Sequence, residues 1–154
     1  MPPAFVYFDL CNVLVFVGWD RPAWQARAAT EPIMLNVGML PVVAALERAR
    51  VPIGILSNLP AAQWRQLVER RWGILPGRFR EIVLSCEAGS AKPDPAFYAA
   101  AVARAGVDPA RIYYCDDTPG HVAAARAAGW DAEVFTSAVA VADSLGRRGL
   151  NLGL

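Results

Sequence analysis

The chain alternates short, almost wholly apolar runs with longer segments in which apolar residues recur every three or four positions. The runs are AFVYFDL (4–10), VPIGILSN (51–58), EIVLS (81–85), RIYYCDD (111–117) and DAEVF (131–135). The longer segments predict helices over 41–50, 61–73, 94–106 and 119–129, with a last helix over 136–148 and a loose tail, GLNLGL. Several of them close on Gly and some open on Pro or Asp, as helix ends and first turns do. Runs with no polar alternation belong to strands buried on both faces, and such strands alternating with helices make a parallel sheet. The pattern therefore predicts one doubly wound α/β domain over residues 1–154: a parallel five-stranded sheet with helices on both faces.

Composition narrows the setting. With 55% hydrophobic and 19% charged residues, 154 residues suffice for one globular core. The formal net charge is +1 without a basic run, which offers nucleic acid no electrostatic footprint. Cys11, Cys86 and Cys115 show neither CxxC spacing nor a companion His cluster, so the thiols read as reduced. The start, Met-Pro-Pro, lacks the basic region and cleavage site of a signal peptide. No apolar stretch approaches the roughly 20 residues that span a bilayer. The expectation is a soluble, cytoplasmic protein with neither a membrane nor a nucleic-acid partner.

Polar residues gather where the apolar runs end: Asp9, Ser57 with Asn58, Ser85, and Asp116 with Asp117. Parallel sheets bind ligands beyond the carboxyl ends of their strands. Lys92, in the loop GSAKPDP, follows the third run. Three carboxylates can share Mg²⁺, a hard cation that prefers oxygen ligands. Lys92 would offset their charge and hold a phosphate, Ser57 and nearby amides would donate to its oxygens, and an aspartate can attack it as nucleophile.

These residues resemble, in order, the four signature elements of the haloacid dehalogenase superfamily: YFDLCNVL, ILSN, AKPDPAFY and YYCDDTPGHVAAARAAG. The likeness runs from about residue 4 to 135. It implies that Asp9 is the nucleophile and a Mg²⁺ ligand, joined by the backbone carbonyl of Cys11 and by Asp116 and Asp117. Ser57 and the amide of Asn58 would bind the phosphoryl group, and Lys92 would steady it. Relatives often hold the bond between Lys92 and Pro93 cis. In phosphatases of the family an aspartate stands two residues after the nucleophile and handles the leaving-group proton; here that position is Cys11. Cys11 reads first as a small packed hydrophobe, and losing a general acid costs roughly 10²–10⁴-fold in rate. His121, four residues after Asp117, replaces an acidic or amide side chain; it reads as a helix-surface residue, with a catalytic base as the alternative.

Capped relatives insert a folded domain after the first motif. Here about residues 16–38 offer room for only a β-flap and a short helix. That segment carries Phe16, Val17, Trp19, Trp24, Ile33, Met34 and Leu35, enough apolar surface to suggest a homodimer contact. Three functions stay open: a Mg²⁺-dependent phosphohydrolase acting on a phosphomonoester, a C–halogen hydrolase, and a binding protein that kept the fold while losing turnover.

Overall fold

The computed structural model describes residues 1–16, 34–68 and 76–154. Five apolar runs become parallel strands: β1 (Phe5–Phe8), β4 (Ile53–Ser57), β5 (Glu81–Leu84), β6 (Ile112–Asp116) and β7 (Asp131–Val134). Their order across the sheet is β5-β4-β1-β6-β7. From β1 the chain steps outward through β4 to β5, then crosses to the other side for β6 and β7. The direction of winding thus reverses beside β1, the place where doubly wound sheets bind ligands.

Alternate residues of each strand face opposite layers. Val6, Phe8, Ile53, Ile55, Tyr113 and Cys115 pack on one side with α1 (Met39–Arg48) and α6 (Ala138–Arg147). Phe5, Tyr7, Leu56, Val83 and Tyr114 pack on the other with α4 (Pro95–Ala105) and α5 (Pro119–Ala127). Gly54 makes one of these contacts possible. It pairs with Tyr7 across β1 and β4, and a Cβ there would lie 2.5 Å from the Tyr7 ring. Helix α4 starts as its sequence suggests, with Asp94 accepting from the Ala96 amide and Pro95 in the first turn.

Two departures from the sequence reading concern the ends of elements. Helix α2 is described over Ala61–Val68, and the rest of the predicted 61–73 segment lies outside the described residues. The tail is docked rather than loose: Leu152 is buried in the core with Val141 and Leu145, and Leu150 packs against them. On either side of the segment expected to form the flap, β2 (Val15–Phe16) pairs antiparallel with β3 (Met34–Leu35). Residues 17–33, including Trp19, Trp24 and Ile33, lie outside the described residues, as does the dimer contact expected of them. Among the described residues no helix is long and apolar enough to cross a membrane.

Candidate active site

The site grows out of strand register. Phe8 is level with Cys115, so the next residues, Asp9 and Asp116, stand side by side at the carboxyl edge; the Asp9 amide donates to the Cys115 carbonyl at 3.0 Å. Asp116 shares a face of β6 with Tyr114, two residues earlier, and the Tyr114 hydroxyl donates to Asp116 Oδ2. On the other side of β1, Phe8 is level with Ile55, and Ser57 closes β4, buried.

Lys92 enters from the loop between α3 (Ser85–Ala88) and α4. Its Nζ lies 2.9 Å from Asp9 Oδ1, 2.7 Å from Asp116 Oδ2, and 3.0 Å from both the Leu56 carbonyl and the Tyr114 hydroxyl. Its backbone is fixed as well. Asn58 Nδ2 donates to the Lys92 carbonyl and Asn58 Oδ1 accepts from the Lys92 amide, both at 2.8 Å. The Lys92–Pro93 peptide is cis.

The three carboxylates converge. One oxygen each of Asp9, Asp116 and Asp117 lies within 4.8 Å of the others. Asp9 takes both Lys92 and the Leu10 amide on Oδ1, which leaves Oδ2 clear of these two bonds. Asp116 spends both oxygens: Oδ2 on Lys92 and Tyr114, Oδ1 on the Thr118 amide, with His121 Nδ1 3.2 Å from Oδ2. Asp117 accepts from Asn12 Nδ2 at 2.9 Å.

Burial and charge set the ionisation of this cluster. Burial, opposed by the charge of Lys92 and aided by that of Asp116, lifts the Asp9 carboxyl to about 6. Burial also pushes Asp116 upward, but hydrogen bonds from His121 and the charge and hydrogen bond of Lys92 outweigh it and hold this carboxyl well below the usual range. Lys92 loses solvation, yet Asp9 and Asp116 raise its pKa and keep it an ammonium. Burial and both carboxylates raise the Tyr114 phenol, which stays a neutral donor. Three carboxylates thus face a single ammonium. Hard oxygen donors carrying excess negative charge fit a Mg²⁺ ion.

Of the residues the sequence singled out, the structure places Asp9, Lys92, Asp116 and Asp117 together, with Ser57 and Asn58 at the neighbouring strand end. Cys11 follows β1 half-buried, packed against the apolar cluster beneath α1. His121 is a departure from a helix-surface residue: its side chain is only 14% exposed and turned to Asp116. Sequence reasoning passed over Asn12, Tyr114 and the side chain of Asn58. Asn12 alone left a trace, as a polar residue in an otherwise apolar stretch.

A protein-family model described as haloacid dehalogenase-like hydrolase matches residues 11–129. The chain belongs to the haloacid dehalogenase-like hydrolases. The match begins two residues after Asp9 and takes in Ser57, Lys92, Asp116 and Asp117. The chain is 30% identical over 117 residues, 76% of its length, to chloroplast flavin mononucleotide hydrolase 1 of Arabidopsis thaliana. It spans less than half of that protein, 46%. Among solved structures, a haloacid dehalogenase-superfamily hydrolase of Ehrlichia chaffeensis is similar with a TM-score of 0.74 and 17% identity, covering 96% of this chain and 98% of that one. An enzyme of the family from Bacteroides thetaiotaomicron, solved with magnesium and inorganic phosphate, is similar with a TM-score of 0.70 and 17% identity, over 86% of this chain and 94% of its own. These structural likenesses establish the shared fold.

Proposed function

We propose that the protein is a Mg²⁺-dependent phosphohydrolase that cleaves a phosphomonoester through an aspartyl-phosphate on Asp9. The observation that carries this reading is Lys92 Nζ bridging Asp9 Oδ1 and Asp116 Oδ2 at the sheet edge, with Asp117 completing the acidic cluster. Asp9, Asp116, Asp117 and the Cys11 carbonyl would hold the ion. When bound, Mg²⁺ supplies neutralisation of the phosphoryl oxygens.

The chain's own groups do the rest. Lys92 holds Asp9 by Oδ1 and turns Oδ2 toward the substrate. Asp9 Oδ2 attacks phosphorus and the ester P–O bond breaks, leaving an acyl phosphate on Asp9. Ser57 and the Asn58 amide donate to the phosphoryl oxygens. Water then attacks phosphorus, releasing inorganic phosphate and restoring the carboxylate. Lys92 stays charged throughout, being paired on both sides.

The proton for the departing oxygen is the weak point. Cys11 places a thiol, a weak donor, where the resemblance implies a carboxylic acid. Aryl and acyl phosphates, whose leaving groups depart without protonation, should therefore turn over fastest. The packing of Cys11 against the core also favours a second reading, in which the site binds phosphomonoesters and turns them over barely at all. Phosphate release from an aryl phosphate and from flavin mononucleotide, with Mg²⁺ and with chelator, tests both. Mg²⁺-dependent release supports hydrolysis; binding without release supports the second reading; neither binding nor release overturns both.

A further inference from the structure

We propose that Asn12 is a positioning residue for the carboxylate of Asp117, an inference that rests on the metal-site reading above. Asn12 stands in the turn after β1 with φ 65, the left-handed region. The turn is tightly drawn. The amides of Leu14 and Val15 both donate to the Leu10 carbonyl at 3.0 Å, and Asn36 Nδ2, reaching in from the far side of the flap, donates to the Val13 carbonyl at 2.8 Å. So fixed, Asn12 reaches across 105 positions of sequence to donate from Nδ2 to Asp117 Oδ2 at 2.9 Å.

Two requirements meet at this position. The backbone must be left-handed, which Gly, Asn and Asp accept at least cost. The side chain must donate to a carboxylate, which Gly cannot do and an ionised Asp would oppose by repulsion. Asn satisfies both. Asp117 is half-buried at the strand end, where the Thr118 hydroxyl lies 3.4 Å from its Oδ1 and Asn12 takes the other oxygen at the shorter distance. The Asn12 amide draws Oδ2 toward the turn that carries Asp9 and Cys11, so the first and fourth motifs present their oxygens to a common point. Groups that orient a metal ligand in this way typically account for 10–100-fold in metal affinity.

Calorimetric titration of Mg²⁺ into wild type and Asn12→Gly tests the proposal, because Gly keeps the left-handed turn and deletes the donor. The variant should bind Mg²⁺ at least about tenfold more weakly, and saturating Mg²⁺ should restore most of the phosphate release. Its melting temperature in chelator should stay close to wild type, which separates positioning from a merely structural role. In an Asp117→Asn background, Asn12→Gly should weaken Mg²⁺ binding no further. Wild-type Mg²⁺ affinity in Asn12→Gly, or an equal loss in the Asp117→Asn background, would overturn the role of Asn12 and leave the phosphohydrolase reading intact. A wild type that binds no Mg²⁺ would overturn both.

Discussion

The Asn58 side chain closes two hydrogen bonds on the main chain of Lys92, one from its amide to the Lys92 carbonyl and one to its oxygen from the Lys92 amide, each 2.8 Å long. This clamp spans 34 positions and joins the end of β4 to the loop that delivers the ammonium. Asn58→Ala should release that loop and lower kcat by about 10–100-fold, since small misplacements of reacting groups are costly. Asn58→Asp keeps the bond from the Lys92 amide and should fall between. Steady-state kinetics on an aryl phosphate, beside melting curves, would measure this; kcat unchanged in Asn58→Ala would leave the clamp without a catalytic consequence.

Lys92 is the counter-ion of two buried carboxylates, and its own side chain is 1% exposed. Removing one member of such a cluster strands the other charges, at a cost of about 3–5 kcal/mol. Lys92→Met should therefore unfold at markedly lower urea concentration in chelator. Millimolar Mg²⁺ should recover part of the loss by supplying positive charge to the same carboxylate cluster. A variant that Mg²⁺ leaves unstabilised would mean that the carboxylates do not hold the ion.

The sheet was legible because strands buried on both faces are written as unbroken apolar runs, and the mouth because Asp9, Ser57 and Asp116 interrupt those runs at their ends. What escaped were bonds between side chain and backbone across long stretches of sequence. Asn58 holding the Lys92 backbone and Asn36 holding Val13 leave no periodic trace. Tyr114 was hidden differently. An apolar strand accommodates a tyrosine as readily as a phenylalanine, and only its neighbours show that the hydroxyl serves Asp116. The tail misled for a related reason: GLNLGL is too short to show a period, yet Leu150 and Leu152 pack on the core cluster that holds Val141 and Leu145.

That docking has a measurable weight. Leu152 is 8% exposed and lies in the core cluster with Val141 and Leu145. Leu152→Ala should destabilise the protein by about 2–3 kcal/mol, toward the low end for buried leucines because it sits at the rim. Urea denaturation would read this as a lowered midpoint with an unchanged slope; a midpoint equal to wild type would mean that the tail contributes no packing.

Arg148, just after α6, ties that helix to β7. Its guanidinium pairs with Asp131 and, at 2.8 Å, with Glu133, and it lies 5.0 Å from the centre of the Tyr113 ring. Burial pushes the Glu133 carboxyl up, but hydrogen bonds from Ser144 and Arg148 outweigh burial and hold it below the ordinary value of 4.5. A carboxyl depressed in the folded state adds stability above its unfolded pKa and loses it as pH falls through the folded value. Stability should therefore decline below about pH 4.5, and Arg148→Met should be less stable at neutral pH with a shallower acid decline. Urea midpoints across that range would check it, and parallel curves for the two proteins would exclude this pair as a source of acid sensitivity.

The central claim is that Asp9 becomes phosphorylated in turnover, and an acid-quenched single turnover analysed by peptide mass spectrometry tests it most directly. With an aryl phosphate and Mg²⁺, a phosphoryl group should appear on the peptide carrying Asp9 and decay as inorganic phosphate is released. Chelator or Asp9→Asn should abolish both the adduct and the release. Undiminished phosphate release from Asp9→Asn, with no adduct on that peptide in the wild type, would contradict the account.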